Sequence, residues 1–131
     1  NLIKKSLKKL IIKNKNNLMK LEKIIHPLVR KKLRIFTQKN KNKKTLFYEI
    51  PLLIESKLMN FFNVLIFIKS KKKTRMNRFM AKGGDKKMFN LLNKKQLSDN
   101  IKIKFCDHVV VNEKNLRILK KNLLFIMSKY E

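Results

Sequence analysis

Three polar residues stand beside apolar runs, where the sequence could place them at the edge of a binding site. Glu49 and Glu55 flank the apolar residues of EIPLLIES, and Asn112 follows VVV. Ligands of open α/β sheets bind outside the carboxyl ends of the strands, so residues in these positions are candidates for ligand contacts. Either carboxylate could hold a ligand hydroxyl or an ordered Mg²⁺ water. A helix cap or a salt bridge is an equally good interpretation of each.

His26, Cys106 and His108 are other residues whose types allow catalysis or metal binding. His26 precedes Pro27 and could line a cleft, although a lone His beside the start of a helix is more often structural. Cys106 and His108 are two residues apart, but no second pair of ligands completes a metal site, so a packed strand end is favoured. No Ser/His/Asp set is recognisable, and no metal site is predicted.

The basic segment around Gly83 and Gly84 has two interpretations. With Arg78 and Lys82 before it, the glycine pair could hinge a basic lid over phosphate groups. It could also form an ordinary turn between two helices with solvated lysines, and spacing alone favours this turn. The phosphate-cradling pattern G-x-x-x-x-G-K-S/T is absent from the 131 residues, which contain two glycines.

Three apolar segments predict the strands that would position these residues. TLFYEIPLLI at 45–54 and FNVLIFIKS at 62–70 are continuous apolar runs, which predicts strands buried on both faces. FCDHVVVN at 105–112 predicts a third short strand, centred on its three valines. On this prediction, EIPLLIES is the end of a core strand that stops at Pro51.

Helical periodicity fills most of the remaining sequence. Apolar spacing and capping residues predict helices over 2–12, 16–25, 71–82, 85–97 and 116–127. Pro27 opens or kinks a further helix that carries Ile35 and ends before the polar loop KNKNKK. Strands that alternate with helices indicate an α/β protein with a parallel sheet.

The net charge of +27 is the most unusual property of the composition. Such a charge would suit nucleic acid or an anionic membrane surface as a partner. However, the 35 basic residues comprise 30 Lys and 5 Arg, whereas base-edge and bidentate phosphate recognition depend chiefly on Arg. Solvated charge is therefore favoured over a specific nucleic-acid surface.

Length, cysteine content and hydropathy bound the class of protein. The 131 residues suffice for one domain with a modest core. The single Cys106 excludes an internal disulfide and fits a reducing compartment. Apolar runs such as VLIFI fall far short of the roughly 20 residues needed to span a bilayer. These features favour a soluble, cytoplasmic protein without a membrane partner.

The order of the motifs is more informative than any one of them. Along the chain come LEKIIHPLVRKK, FYEIPLLIES, FNVLIFIKS with a basic helix, NKKQ and FCDHVVVN. In sequence and spacing, this order resembles the dephospho-coenzyme A kinase family over essentially the whole chain. The family pattern runs L-E-x-I-x-H-P-x-V, an acidic residue near P-L-L-x-E, a strand, a Q-x-x-R helix, a mobile lid and A-D-x-x-I-x-N. The HP and PLLxE elements together are fairly specific.

The resemblance implies a P-loop kinase that uses ATP and Mg²⁺ to phosphorylate the 3′-hydroxyl of dephospho-coenzyme A, the last step of coenzyme A biosynthesis. It implies an α/β fold, a single partial kinase domain in which a parallel sheet is flanked by helices and carries a helical lid. The implied regions are substrate-side helices at 1–44, core strands and a helix at 45–82, the lid at 83–104, and the last strand and helix at 105–131.

The resemblance also implies roles for single residues. The substrate-side residues are His26, Glu49, Pro51, Leu52, Leu53 and Glu55. Arg78 and Lys82 belong to the lid and phosphate side, and Asn112 lies beside the nucleotide. Gln96 matches the glutamine after the lid, and Asp107 matches the aspartate of A-D. Lys82 departs from a common Arg and Cys106 from a common Ala. The lysine weakens bidentate clamping of phosphate, because an ammonium is a point charge.

The resemblance further implies that the first strand, the P-loop and the aspartate that activates the acceptor hydroxyl all precede Asn1. No catalytic residue is therefore expected within the chain, and we expect the chain alone to lack kinase activity. Because the first strand should lie at the sheet centre, we also expect a poorly soluble or loosely packed chain. The alternatives are another P-loop nucleoside-phosphate kinase, a basic nucleic-acid-binding module and a non-enzymatic structural fragment.

Overall fold

The computed structural model describes residues 6, 9–11 and 13–130. Contacts between residues divide the chain into two compact units, 1–48 and 49–131. Most of the helix predicted over 2–12 lies outside the described residues, so that prediction is not assessed. The two units are described separately below.

The first unit is dominated by one long helix, α1, over Lys15–Lys39. Asn14 caps it, since the Asn14 side chain accepts a hydrogen bond of 2.9 Å from the backbone N–H of Asn16. Pro27 lies inside the helix. The prediction that a separate helix opens at Pro27 is therefore wrong.

The less exposed apolar residues of α1 follow one face of the helix on both sides of Pro27. Leu18 is buried, and Leu21, Val29 and Leu33 are partly buried. Their spacing keeps them on one helical face on both sides of the proline. The helix thus keeps one apolar face although Pro27 removes a backbone N–H donor from its interior.

The segment after α1 is a turn followed by extended chain. As predicted, the polar run 40–44 forms turns, and the Asn40 side chain donates to the Phe36 carbonyl at 2.8 Å. The hydroxyls of Thr37 and Tyr48 are 2.6 Å apart, and the Tyr48 ring meets Phe36 edge-on at 5.4 Å between centroids. These contacts hold Tyr48 against the end of α1. Residues 45–48 form no strand, so this half of the strand predicted at 45–54 is wrong.

The other half of that predicted strand, in the second unit, is a turn. Residues 51–57 form turns that begin at Pro51. The N–H of Lys57 donates to Ile54 at 3.1 Å, the N–H of Leu58 donates to Leu53 at 3.1 Å, and Lys57 has φ 56°. This pair of bonds around a left-handed residue is a Schellman motif, which ends a helical turn. The prediction of a core strand is wrong here.

The sheet of the second unit has two parallel strands, β1 over Ile66–Lys69 and β2 over His108–Val111. Their register pairs Ile66 with His108 and Lys69 with Val111. Both lie within the second and third strands predicted from sequence, and their parallel arrangement confirms the α/β class.

Four helices and a short 3₁₀ turn at Met59–Phe61 complete the second unit. The helices are α2 over Lys72–Ala81, α3 over Lys86–Lys95, α4 over Asp99–Ile103 and α5 over Leu116–Met127. Helix α2 packs against α3, α4 against β1, and α5 against β2. Asp85 caps α3 as predicted, and its carboxylate accepts from the Met88 N–H at 2.8 Å. Helix α4 was not predicted.

The core of this unit covers only part of the sheet. Ile54, Leu58, Met88, Phe89, Val110 and Ile126 are its buried apolar residues. Val110 is 3% exposed, whereas its neighbours Val109 and Val111 are 40% and 55% exposed. In β1, Ile68 is 40% exposed and the other residues are only partly buried, so the prediction that this strand is buried on both faces is wrong. Side chains alternate across a strand, and only the Val110 side of β2 is covered.

Candidate functional site

The carboxyl ends of β1 and β2 meet because the two strands are parallel, and they form a compact polar cluster. The N–H of Asn112 donates to the Lys69 carbonyl at 2.8 Å, which extends the ladder by one bond. The hydroxyl of Ser70, which is buried, donates to the Asn112 carbonyl at 2.8 Å. Asn112, a residue predicted from sequence, therefore lies at the expected edge of the sheet.

Arg78 joins this cluster from helix α2, which begins directly after β1. Its Nη1 donates to the Asn112 carbonyl at 3.0 Å. The structure thus brings together two of the predicted residues, Arg78 and Asn112, from elements that are 34 residues apart in sequence. Arg78 is exposed, so part of its guanidinium faces solvent.

Glu113 is a member of the cluster that the sequence reasoning missed. Its carboxylate accepts hydrogen bonds from the Lys71 N–H and, at 2.7 Å, from the Thr74 hydroxyl. These bonds and the nearby Lys71 and Arg78 charges lower the pKa of Glu113. A signal was present in the sequence, because α2 begins at lysines without a Ser, Thr, Asp or Asn at its N-cap. Glu113, in the loop that follows β2, supplies a hydrogen-bond acceptor at the start of α2.

Lys82 and the two glycines form the end of α2. Lys82 is the C-cap and is exposed. The N–H of Gly83 donates to Met80 at 2.9 Å and that of Gly84 to Phe79 at 3.0 Å, with Gly83 at φ 80°. This is a second Schellman motif, so the favoured interpretation of the segment as a turn between helices is confirmed.

Glu55, predicted to lie on the substrate side, has a buried basic partner. The Lys102 Nζ is 2.8 Å from Glu55 Oε1, and the two side chains are only 7% and 12% exposed, respectively. The same oxygen accepts from the Leu97 N–H at 2.9 Å. Burial raises the pKa of Glu55, but the hydrogen bonds and the Lys102 charge outweigh it, so the pKa lies below its usual value. The salt-bridge interpretation of this residue is the one that the structure supports.

The remaining predicted substrate-side residues lie before and within the turn at 51–57. Glu49 and Pro51 are exposed, and Leu52 and Leu53 are partly buried. Leu52 accepts a backbone bond from Ser56 at 2.9 Å. Pro51, Leu52 and Leu53 thus shape the turn that carries Glu55 to Lys102.

His26, the predicted residue of the first unit, lies in the middle of α1 and is partly buried. The adjacent Pro27 lines a shallow cleft of about 370 Å³ together with Arg30, Lys31 and Arg34. Two adjacent cations and a third one helical turn further along make this cleft strongly positive. An anionic ligand would be favoured there.

Acidic and sulfur-containing residues do not assemble elsewhere in the described residues. No group of three or more His, Cys, Asp or Glu residues is gathered there. Cys106 is partly buried, and burial together with the Asp107 charge raises the pKa of its thiol. Asp107 lies at the start of β2, where its carboxylate accepts from the Leu65 N–H at 2.7 Å. In the same described residues, no helix is long and apolar enough to cross a membrane.

Comparison with known proteins identifies the family of this chain. A family model described as dephospho-CoA kinase matches residues 1–117. The chain belongs to the dephospho-CoA kinase family. The resemblance found in the motifs is thereby confirmed.

Individual dephospho-CoA kinases agree with the family assignment. The one from Fusobacterium nucleatum is 32% identical over 124 residues, covering 94% of this chain and 64% of the relative. The one from Rickettsia typhi is 31% identical over 113 residues, covering 86% of this chain and 59% of the relative. The chain therefore spans about three-fifths of the length of these dephospho-CoA kinases.

A solved structure supports the fold alone. The crystal structure of TT1252 from Thermus thermophilus superposes with a TM-score of 0.68 at 23% sequence identity. The match covers 98% of this chain and 67% of that one.

Proposed function

We propose that this chain provides the acceptor-side and lid-side part of an enzyme that phosphorylates the 3′-hydroxyl of dephospho-coenzyme A with ATP, the final step of coenzyme A biosynthesis. Membership of the dephospho-CoA kinase family is the observation that carries this proposal. The polar cluster at the strand ends supports it, because ligands of α/β folds bind at this edge.

In this proposal, Arg78, Lys82 and Asn112 form the phosphate and nucleotide side. Arg78 and Lys82 are four residues apart, which places them one helical turn from each other. Phosphoryl transfer depends on positioning and on cations that stabilise the developing charge. The exposed guanidinium of Arg78, anchored on the Asn112 carbonyl, supplies such a charge from a fixed position.

In this proposal, the substrate-side residues are His26 in the first unit and, taken separately, Glu49 and the PLLxE turn in the second. The cationic cleft beside Pro27 would attract the phosphates of an acceptor such as dephospho-coenzyme A. Within the turn, Glu55 acts by holding Lys102 rather than by facing solvent. Of the two carboxylates, Glu49 and Glu55, Glu49 is exposed and is the one available to a ligand hydroxyl.

The family implies ATP and Mg²⁺ as ligands of the whole enzyme. The 131 residues include no G-x-x-x-x-G-K-S/T loop. The described residues gather no group of three metal-binding side chains, and Glu113 at the strand ends is engaged by Lys71 and Thr74. These residues do not fit a metal-nucleotide site. The proposal therefore includes the expectation that the 131 residues alone do not transfer phosphate.

A chimera tests the proposed activity. The 131 residues would replace the matching segment of the Fusobacterium nucleatum relative, and ATP-dependent formation of coenzyme A from dephospho-coenzyme A would be followed. We expect the chimera to be active and the isolated 131 residues to be inactive. A folded but inactive chimera would contradict the proposed function, and activity of the isolated chain would contradict its dependence on further residues.

Variants of the chimera test the residue roles. Arg78→Met should lower kcat by about tenfold to a hundredfold, because one charged contact to the phosphates is worth about 1.5–3 kcal/mol. Lys73→Met removes the same charge from an exposed position on α2 and is the matched control. If both substitutions lowered kcat equally, the loss of activity would reflect the overall positive charge of the chain rather than a specific role of Arg78.

A further inference from the structure

Arg75 is a residue of α2 whose side chain reaches the end of α3. Among the described residues it has no acidic partner. Its Nη1 donates to the Gln96 side-chain oxygen and its Nη2 to the Asn93 side-chain oxygen, both at 3.3 Å. Its Nε is buried and has no hydrogen-bond partner in the described part of the chain. The guanidinium is thus fixed in orientation, while its charge is not neutralised.

The bonding of Arg75 is weak for a charged donor. Charge-assisted N–H···O bonds usually measure about 2.7–2.9 Å, and both of these are longer. Gln96 and Asn93 offer neutral amide oxygens rather than a carboxylate. A buried N–H without a partner is also unfavourable, because it has lost its water without replacement. An anion against the guanidinium would supply the charged acceptor that these neutral amides do not.

A cleft is present beside this guanidinium. It has a volume of about 360 Å³ and is lined by Lys72, Arg75, Asn93, Gln96, Leu97, Ser98 and Asp99. Two of these side chains are cationic and one is anionic, so the lining carries a net positive charge. Lys72, the Ser98 hydroxyl and the two side-chain amides add donors to those of Arg75.

We infer that this cleft is a binding site for a phosphoryl group, separate from the strand-end cluster and from the cleft beside Pro27. Its donors come from α2, from α3 and from the connection to α4, so they approach from different directions. A tetrahedral phosphate has acceptor oxygens in several directions, whereas a carboxylate presents two oxygens in one plane. The inference does not depend on the proposed kinase activity, since it concerns binding by this chain.

Binding by the purified 131-residue chain tests the inference. Inorganic phosphate and ADP would each be titrated by calorimetry at about 0.15 M ionic strength, where long-range attraction to the basic surface is screened. We expect saturable binding to one site. Binding of ADP without inorganic phosphate would identify a nucleotide as the source of the phosphoryl group. Binding of both would show that the phosphoryl group alone suffices, and binding of neither would overturn the inference.

One substitution and one control locate the site. Arg75→Met should raise Kd by at least about tenfold, because a charged hydrogen-bond donor is lost. Lys73→Met, an exposed neighbour that does not line the cleft, should change Kd by less than about twofold. Equal weakening by both substitutions would indicate nonspecific attraction to the +27 chain and would overturn the inference.

Gln96→Glu separates ligand binding from a purely structural role of Arg75, and it serves even if Arg75→Met does not fold. The substitution keeps the shape of the side chain and places a carboxylate against the guanidinium. The new ion pair should leave the urea midpoint unchanged or raise it, while phosphate binding falls by at least about tenfold. Unchanged phosphate binding in Gln96→Glu would overturn the inference.

Discussion

At the scale of single residues, the Glu55–Lys102 pair illustrates how a chain with 30 lysines can bury one of them. Lys102 is 6% exposed, and its ammonium contacts both the Glu55 carboxylate and, at 5.8 Å, the face of the Phe67 ring. A charge in this position is tolerated only with a partner, because desolvation alone would be strongly unfavourable. Each member of the pair therefore depends on the other.

Substitution of one member of the pair should be far more harmful than substitution of both. Glu55→Gln leaves the Lys102 ammonium buried without a counter-ion, and we expect a loss of about 3–5 kcal/mol in the free energy of unfolding. The double variant Glu55→Gln with Lys102→Met should recover most of this loss, because neither charge remains. Urea denaturation followed by circular dichroism measures the cycle. Additive losses would show that the two charges are not coupled.

Lys57 is a second residue whose backbone can be tested. It has φ 56° in the Schellman motif, a region that costs a residue with a Cβ roughly 1–2 kcal/mol. Lys57→Gly should raise the free energy of unfolding by about 0.5–1 kcal/mol, because part of this gain is offset by a more flexible unfolded chain. Lys57→Val is the matched contrast and should destabilise. A lower free energy of unfolding in Lys57→Gly would mean that the lysine side chain stabilises the fold by more than its left-handed backbone destabilises it.

The sequence predicted some site residues but could not pair them. Asn112 was placed correctly because a polar residue after an apolar run marks a strand end, and this inference is local. The partner of Glu55 could not be identified, since Lys102 is one of 30 lysines and is 47 residues further along the chain. Glu113 was missed because its role appears only when parallel pairing brings it to the uncapped start of α2.

At the scale of elements, EIPLLIES shows why short apolar runs mislead. A continuous run of this length fits a buried strand and a turn of buried helix equally well, because it has no period to distinguish them. Pro51 is compatible with the end of a strand, but proline also suits the first position of a helical turn. The deciding feature is the left-handed backbone at Lys57, and lysine gives no sequence signal for it.

The two glycines after α2 should differ in their tolerance of a side chain. A Cβ on Gly84 would overlap the Phe79 ring and lie 2.7 Å from the Phe79 carbonyl oxygen, and the backbone atom cannot move aside as a side chain can. A Cβ on Gly83 meets no atom within 4 Å, so only its φ of 80° is unfavourable. We expect Gly83→Ala to cost about 1–2 kcal/mol and Gly84→Ala to cost more. Urea midpoints of the two variants give the order, and the reverse order would contradict this account of the turn.

At the scale of the whole molecule, sequence periodicity predicted where these helices and strands lie along the chain better than it predicted how far their side chains are buried. The limits of α5 were predicted as 116–127 and observed as Leu116–Met127, and β2 falls on the predicted valines. The prediction that the strand at 62–70 is buried on both faces is wrong, since Ile68 in β1 is 40% exposed. An apolar run reports what a segment could bury, whereas coverage depends on the elements that pack against it.

Exposed apolar residues should dominate the solution behaviour of the 131-residue chain. Leu116 and Phe125 on α5 are 78% and 65% exposed, and among the described residues no large side chain is less than 2% exposed. We expect the chain to bind the dye ANS and to scatter light increasingly with concentration, because exposed apolar side chains favour association. Leu116→Gln with Phe125→Gln should reduce both signals while the free energy of unfolding changes by no more than about 0.5 kcal/mol.

Ile126→Gln provides the control for this prediction. Ile126 neighbours Phe125 on α5 but is 8% exposed, so its substitution buries an amide and removes core packing. It should lower the urea midpoint and increase ANS binding, the opposite of the change expected at Leu116 and Phe125. If the double surface variant left the dye signal and the scattering unchanged, the association would have to arise from another surface. If the unaltered chain bound no ANS and its light scattering did not rise with concentration, the behaviour expected from its exposed apolar residues would be contradicted.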